Sequence, residues 1–234
     1  MRVLVTGATG GIGAALARDY ARAGAQVIAT GRRRDAASAT PPGAAFVAAD
    51  QRAPRFAAEA IGEAVRRRGP LDVAILNAGT GLIGDPFADD RIAEQVTVNL
   101  AATVMIARAV APSVLEAGGV LVLVGSTARA RPRFAAYGAT KAGLHGFARS
   151  LAEEWRGRAH VAALHPGPTR TGMHRKAGFD PGRLAALFAS PDAVARGIEK
   201  AVARRAPSRG LGRLWCWTAP ALAPGSLGSG GRGA

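Results

Sequence analysis

Tyr137 and Lys141 stand four residues apart near the start of a helix predicted over Phe134–Trp155. At that spacing two side chains share one helix face, so an ammonium can stand beside a phenol. A phenol with an ordinary pKa near 10 is a poor base at neutral pH, and a neighbouring cation lowers that value. Proton transfer to or from a substrate oxygen then becomes feasible. Taken alone, Tyr-x-x-x-Lys is a weak signal, because surface helices carry it by chance. Ser126 strengthens it: it follows a strand predicted over Gly119–Val124, eleven residues before the tyrosine. In a parallel sheet that position lies at the carboxyl edge, where a hydroxyl can hydrogen-bond a substrate oxygen as its charge changes.

The same edge should hold a second constellation. Arg2–Thr6 reads as a strand and runs into Gly7-Ala8-Thr9-Gly10-Gly11-Ile12-Gly13, then a helix to Arg22. A glycine-rich strand-to-helix turn leaves backbone N–H groups at the helix start, where a pyrophosphate can be held. Gly7 permits the tight turn, Gly11 the approach of backbone to phosphate, and Gly13 the packing of helix on sheet. A nucleoside-triphosphate loop is excluded, since no Gly-Lys-Ser or Gly-Lys-Thr follows. The next strand ends in Thr30-Gly31-Arg32-Arg33-Arg34. Guanidinium groups there suit a ribose 2′-phosphate, whereas a carboxylate would grip the hydroxyls of NAD. NADP is therefore expected ahead of NAD, with Asp35 as the contrary residue. Asp50 ends the third strand; it can accept from an adenine amino group, and the plainer reading is a helix cap or turn former.

The elements that must position these residues alternate regularly. Strands are read at Gln26–Thr30, Ala44–Ala48, Leu71–Leu76 and Val161–Leu164, with helices at Arg55–Arg67, Arg91–Arg108 and Asp192–Arg204. Apolar strands alternating with helices argue for a parallel sheet covered on both faces.

On these residues the chain resembles the short-chain dehydrogenase/reductase family over about Arg2 to Ala206. Thr6, Gly7, Gly11 and Gly13 match its Thr-Gly-x-x-x-Gly-x-Gly signature, and Asn77-Ala78-Gly79 its Asn-Ala-Gly. Asn99 matches its helix asparagine, Ser126, Tyr137 and Lys141 its catalytic residues, and Pro166-Gly167-Pro168-Thr169-Arg170-Thr171 its Pro-Gly-x-x-x-Thr segment. The resemblance implies a single Rossmann-like, doubly wound parallel β-sheet flanked by helices on both faces. It implies hydride transfer between NADP(H) and a carbonyl or alcohol substrate, with Tyr137 as acid and base. Asn99 would hold a water in a proton relay from Lys141. The cofactor would be held by Thr6, Gly7, Thr9, Gly11, Ile12, Gly13, Arg32, Arg33, Asp50, Asn77, Ala78, Gly79, Tyr137, Lys141, Pro166, Gly167, Thr169 and Thr171, with Thr171 on the nicotinamide carboxamide. A homodimer or homotetramer is implied too, packed through the Arg91–Arg108 and Phe134–Trp155 helices. The alternative is a binding protein that has lost turnover and serves regulation or scaffolding.

This chain departs from the family pattern in places. The interval from Ser126 to Tyr137 is about two residues short, which makes Thr127 a fallback for the serine's role. His165 stands just before the Pro-Gly turn and reads as local packing. The usual seventh strand is hard to find, unless Arg209–Leu214 forms a degraded version. The expected organisation is one catalytic domain over residues 1–209, with a substrate lid at about 172–190 and a short tail over 210–234. In the lid, Met173, His174, Phe179, Leu184, Leu187 and Phe188 suggest an apolar substrate portion, and His174 with Arg175 can meet an anionic group.

Bulk composition narrows the rest. The 234 residues are 48% hydrophobic, enough for a sizeable core without staples. Cys216 is the only cysteine, so an internal disulfide is impossible and a metal site is not expected; a reducing cytosol fits. The longest apolar runs are strand-sized, so no transmembrane segment is expected. Formal net charge is +15, yet the arginines are scattered in small groups with no interleaved aromatics. Specific nucleic-acid binding is not expected from that pattern.

Overall fold

The computed structural model describes residues 1–81, 91–128, 133–173 and 182–211. Among the described residues, seven strands form one parallel sheet: β1 (Arg2–Val5), β2 (Gln26–Gly31), β3 (Ala45–Ala48), β4 (Val73–Leu76), β5 (Val120–Val124), β6 (His160–Pro166) and β7 (Arg209–Leu211). Their order across the sheet is β3-β2-β1-β4-β5-β6-β7, all neighbours parallel. The helices are α1 (Gly11–Arg22), α2 (Pro54–Arg66), α3 (Ile92–Val96), α4 (Ala102–Glu116), α5 (Ala135–Glu154) and α6 (Pro191–Ala203). The expected doubly wound sheet is thus present, and its winding reverses between β1 and β4. In such sheets the carboxyl ends at the reversal open a crevice.

Strand alternation explains why both faces are apolar. Val3, Val5, Val27, Ala29, Val73, Ile75, Val122 and Leu164 point to one side, where α1 and α6 lay down Leu16, Val194 and Ile198. Leu4, Ile28, Ala74, Leu76, Leu121, Leu123 and Ala163 point to the other, against Ile61, Ile106, Val110 and Leu144 of α2, α4 and α5. A strand buried on both faces has no polar position to spare, which is why β4 and β5 carry none.

Two expectations need correction. The helix read as ending at Arg108 continues to Glu116, with Pro112 inside it. Proline removes one bond to the carbonyl four residues earlier. Here burial of Val110 and Val114 outweighs that loss. The same helix begins as α3 and passes through a π-type turn, Thr97–Ala101, before α4. From Ile92 to Glu116 it is long and apolar enough to cross a membrane by length and composition, contrary to the reading of strand-sized runs only; it packs as a core helix against α2 and the sheet. At the sheet edge, Arg209–Leu211 pairs with β6 as a short seventh strand, inside the weak candidate read from sequence. Residues 212–234, and with them most of the tail, lie outside the described residues, as do 174–181 of the lid.

Candidate active site

The turn after β1 is held from below by a side-chain clasp. The Thr6 hydroxyl accepts from the amides of Asn77 (2.9 Å) and Ala78 (3.0 Å), while Asn77 Nδ2 donates to the Thr6 carbonyl at 3.1 Å. Thr6 and Asn77 therefore face each other across the β1–β4 seam, and their side chains serve the scaffold of the turn. Gly7 has φ +66°, and a Cβ there would lie 2.9 Å from the Ala78 backbone. Gly11 has φ +54°, and the Thr171 methyl stands 3.1 Å from where its Cβ would be. The segment after β6 is thereby brought against the glycine turn.

The start of α1 is bare. Gly10 is its N-cap, no side chain caps it, and its first turn holds no acidic residue. The N–H groups of Gly11, Ile12 and Gly13 precede the first intrahelical bond, from Ala14 to Gly10. Uncapped donors at the positive end of a helix suit an anion. The residues present thus fit the pyrophosphate of a dinucleotide. Gly13 allows no other side chain, since a Cβ would meet the Gly7 carbonyl oxygen at 2.2 Å and Asn77 Nδ2 at 2.6 Å. Gly13→Ala should displace the turn and weaken dinucleotide binding by about 100-fold, measured by fluorescence titration with NADPH. An unchanged Kd would remove this turn from the site.

At the adenosine end the turn reaches β2 through Thr9, whose methyl lies 2.5 Å from a Cβ built on Gly31. Arg32 follows, exposed, and makes no hydrogen bond or ion pair among the described residues. Arg33 donates two bonds to Asp35, at 3.0 and 2.7 Å. Both residues are exposed, and the bond to Arg33 holds the Asp35 carboxyl below its ordinary range. The contrary carboxylate is thus paired with one of the arginines. Asp50 accepts from the Arg52 amide at 3.0 Å and from its guanidinium, which lowers its pKa, with the Arg32 charge adding to the effect. Its carboxylate makes the turn into α2, which is the plainer of the two roles read from sequence. Arg52 is a partner that sequence reasoning missed; its position two residues after an aspartate is the signal for an Asx turn.

The opposite end of the crevice holds Ser126, Tyr137 and Lys141. The Ser126 hydroxyl accepts from the Ala128 amide at 3.1 Å and stands near enough to the Tyr137 phenol to favour its ionised form. The Tyr137 ring is braced edge-on by Phe134, centroids 6.2 Å apart. Lys141 is buried, donates to the Val124 carbonyl at 2.9 Å, and has Nζ 5.8 Å from the centre of the Tyr137 ring. Burial pushes its pKa down to about 8. Tyr137 moves opposite to expectation: burial pushes the phenol up, and Ser126 pulls the other way. The cation is near, but desolvation of a phenolate is the larger effect at this depth.

Asn99 lies wholly buried in the π-type turn. Its Oδ1 accepts from the Thr80 amide at 2.7 Å, and its Nδ2 donates to the Thr80 carbonyl at 2.9 Å and to Thr140 Oγ1 at 3.4 Å. Its side chain therefore pins the segment after β4 that carries Asn77, Ala78 and Gly79, and a Cβ on Gly79 would lie 3.5 Å from Lys141 Nζ. Thr140 was not singled out from the sequence; it donates to the Tyr137 carbonyl at 2.7 Å and ties α5 to Asn99. A threonine three residues after the tyrosine is the available signal, since its hydroxyl can bond back along a helix. Beyond β6, Pro166 and Gly167 lead to Thr169, which donates to the Gly167 carbonyl at 2.9 Å, and to Thr171 beside Gly11. Of the lid, His174, Arg175 and Phe179 lie outside the described residues; Leu187 is exposed. The loop that shortens the Ser126–Tyr137 interval includes residues 129–132, also outside them.

Comparison with known proteins points the same way. A sequence profile for short chain dehydrogenase matches residues 1–181. The cyclic-di-GMP-binding biofilm dispersal mediator protein of Escherichia coli is 34% identical over 178 residues, 72% of this chain and 73% of that protein. A short chain dehydrogenase from Burkholderia cenocepacia, solved in complex with NADP, is 28% identical with a TM-score of 0.79, covering 90% of this chain and 95% of that one. The 3-ketoacyl-(acyl-carrier-protein) reductase from Brucella melitensis, solved with NADH, is 25% identical with a TM-score of 0.78, covering 90% and 96%.

Proposed function

This chain belongs to the short-chain dehydrogenase/reductase family, and from that premise we propose that it is an NADP(H)-dependent reductase of a carbonyl compound, with Tyr137 as proton donor. Membership makes it an oxidoreductase of a nicotinamide cofactor; the choice of NADP, the residue roles and the substrate are our reading. One observation carries it. Ser126, Tyr137 and Lys141 meet at the sheet edge that also holds the bare α1 start, with Thr171 against Gly11 linking the segment after β6 to that turn.

When bound, the nicotinamide supplies or accepts the hydride. The chain's own residues do the rest. The N–H groups of Gly11 to Gly13 hold the pyrophosphate, and Thr171 orients the carboxamide end. Ser126 donates to the substrate oxygen and to the phenol in turn. The raised pKa of Tyr137 keeps the phenol protonated at neutral pH, which is the form that donates in reduction. Lys141, with a value of about 8, is still mainly cationic at pH 7 and grips ribose hydroxyls. Asn99 fixes the segment between them through Thr80. A protein that had lost turnover would have no need to keep this convergence, which sets the scaffold alternative second.

For the cofactor, β2 ends without a carboxylate, and Asp35 is engaged by Arg33. Arg32 is left to meet a 2′-phosphate. Solved relatives carry either nucleotide, so the chain's own arginine is what favours NADP. Arg32→Ala should raise KM for NADPH by about 10-fold and leave that for NADH within about twofold, as expected for one charge-assisted contact. Equal effects on both would return the choice to NAD.

We further propose assembly as a homodimer or homotetramer. Ala135, Ala139, Ala142 and Gly146 form an exposed line along α5, and a small-residue line of that kind admits a close partner helix. Activity itself is tested by giving the protein NADPH with a panel of small ketones, sugars, steroids and acyl thioesters, followed by a crystal soaked with the best of them. Turnover of any supports the reading. Tight NADPH binding with turnover of none would promote the regulatory alternative.

A further inference from the structure

His165 is read from the sequence as packing, and its surroundings give that packing a purpose. Ser126 follows the last paired residue of β5, Val124, which is in register with Leu164. Past that point the strand is held to β6 by two backbone bonds that bracket the serine: Gly125 N to the Leu164 carbonyl at 2.8 Å, and Thr127 N to the Pro166 carbonyl at 3.0 Å. Between them the His165 ring lies on Gly125. A Cβ on Gly125 would stand 2.2 Å from His165 Nδ1 and 2.5 Å from Cε1, so only glycine admits the ring. The imidazole is itself buried.

What holds the ring from behind is the catalytic helix. His145 follows Lys141 by four residues and Tyr137 by eight, so the three share one face of α5. His145 Nδ1 and His165 Nε2 are joined by a hydrogen bond of 3.0 Å, with ring centroids 5.0 Å apart. A continuous brace therefore runs from α5 through His145 and His165 to Gly125, one residue from Ser126. We infer that His165 is a positioning residue for Ser126, acting through Gly125, and that with His145 it sets the spacing between the serine and the Tyr137 phenol.

This rests on the proposed reductase activity, and the test separates the two. His165→Ser, Gly125→Ala and the double variant are compared with wild type for kcat, for KM of the carbonyl, and for Kd of NADPH. His165→Ser should lower kcat about 10-fold with NADPH Kd unchanged. Gly125→Ala should lower it about 100-fold, as misplacement by about an ångström does. In the double variant the clash is gone, and kcat should return to within about threefold of His165→Ser alone, a coupling expected only of residues in contact. His165→Asn, which keeps a polar group facing His145, should recover part of the single loss and covers the case in which Gly125→Ala does not fold. Wild-type kcat in His165→Ser, or multiplicative losses in the double variant, would overturn the brace. Tyr137→Phe is run alongside: if it matches wild type, the reductase reading itself has failed.

Discussion

Tyr137→Phe will slow carbonyl reduction by at least about 10³-fold while NADPH binds with unchanged Kd. The expectation follows from where the hydroxyl stands. Proton donation by a positioned side chain contributes about 10² to 10⁴ in rate. The described part of the crevice offers no second acid beside it: Ser126 has too high a pKa, and Lys141 is turned to the Val124 carbonyl. Phenylalanine keeps the ring against Phe134, so the change is confined to one oxygen. Direction matters as well. Because burial raises the phenol's pKa, the donating form persists through neutral pH and reduction should vary little there. Alcohol oxidation needs the phenolate, so its rate should climb with pH up to that raised value. A Tyr137→Phe enzyme with more than about a tenth of wild-type kcat would remove the phenol from the chemistry. A tenfold rise in NADPH Kd would instead make it a binding residue.

Much of this arrangement was legible because backbone constraints are local. Gly7, Gly11 and Gly13 announce a turn that larger residues cannot enter, and the strand ends at Val5, Leu76 and Val124 place their following residues at one edge. Other features depend on what lies across space. The helix over Arg91–Arg108 runs on past Pro112, because apolar burial on both sides of that residue carries it to Glu116. The pairing of Arg33 with Asp35 and of Arg52 with Asp50 depends on turns whose shape short-range patterns leave open. The sign of the Tyr137 shift was misread for a related reason: spacing on a helix shows that a cation is near, but only depth decides whether charge or desolvation prevails. The fit of His165 on Gly125 joins residues forty positions apart and has no trace in either local sequence.

Lys141→Met is expected to stabilise the protein while removing at least about 10²-fold of its turnover. The lysine is fully buried, and burial lowers its pKa from 10.5 to about 8. Between those values the unfolded chain binds more protons than the folded one, so this group makes stability rise with pH across that window. Below pH 8 the whole penalty is present, on the order of 3 kcal/mol for such a shift. Methionine has similar reach and no charge to desolvate. It gives up the bond to the Val124 carbonyl, worth about 1 kcal/mol. The net gain at pH 7 and without nucleotide is then about 2 kcal/mol, or a Tm higher by roughly 4–8 °C for a chain of this size. Near pH 10.5 the advantage should vanish, because there the wild-type lysine is neutral when folded. Thermal unfolding of both proteins at pH 7 and pH 10 reads the effect, and NADPH turnover reads its cost. A Lys141→Met protein that is less stable at pH 7 would mean that the ammonium is better solvated than its burial implies. One that is more stable and still active would mean that the charge sits at the crevice without serving the reaction.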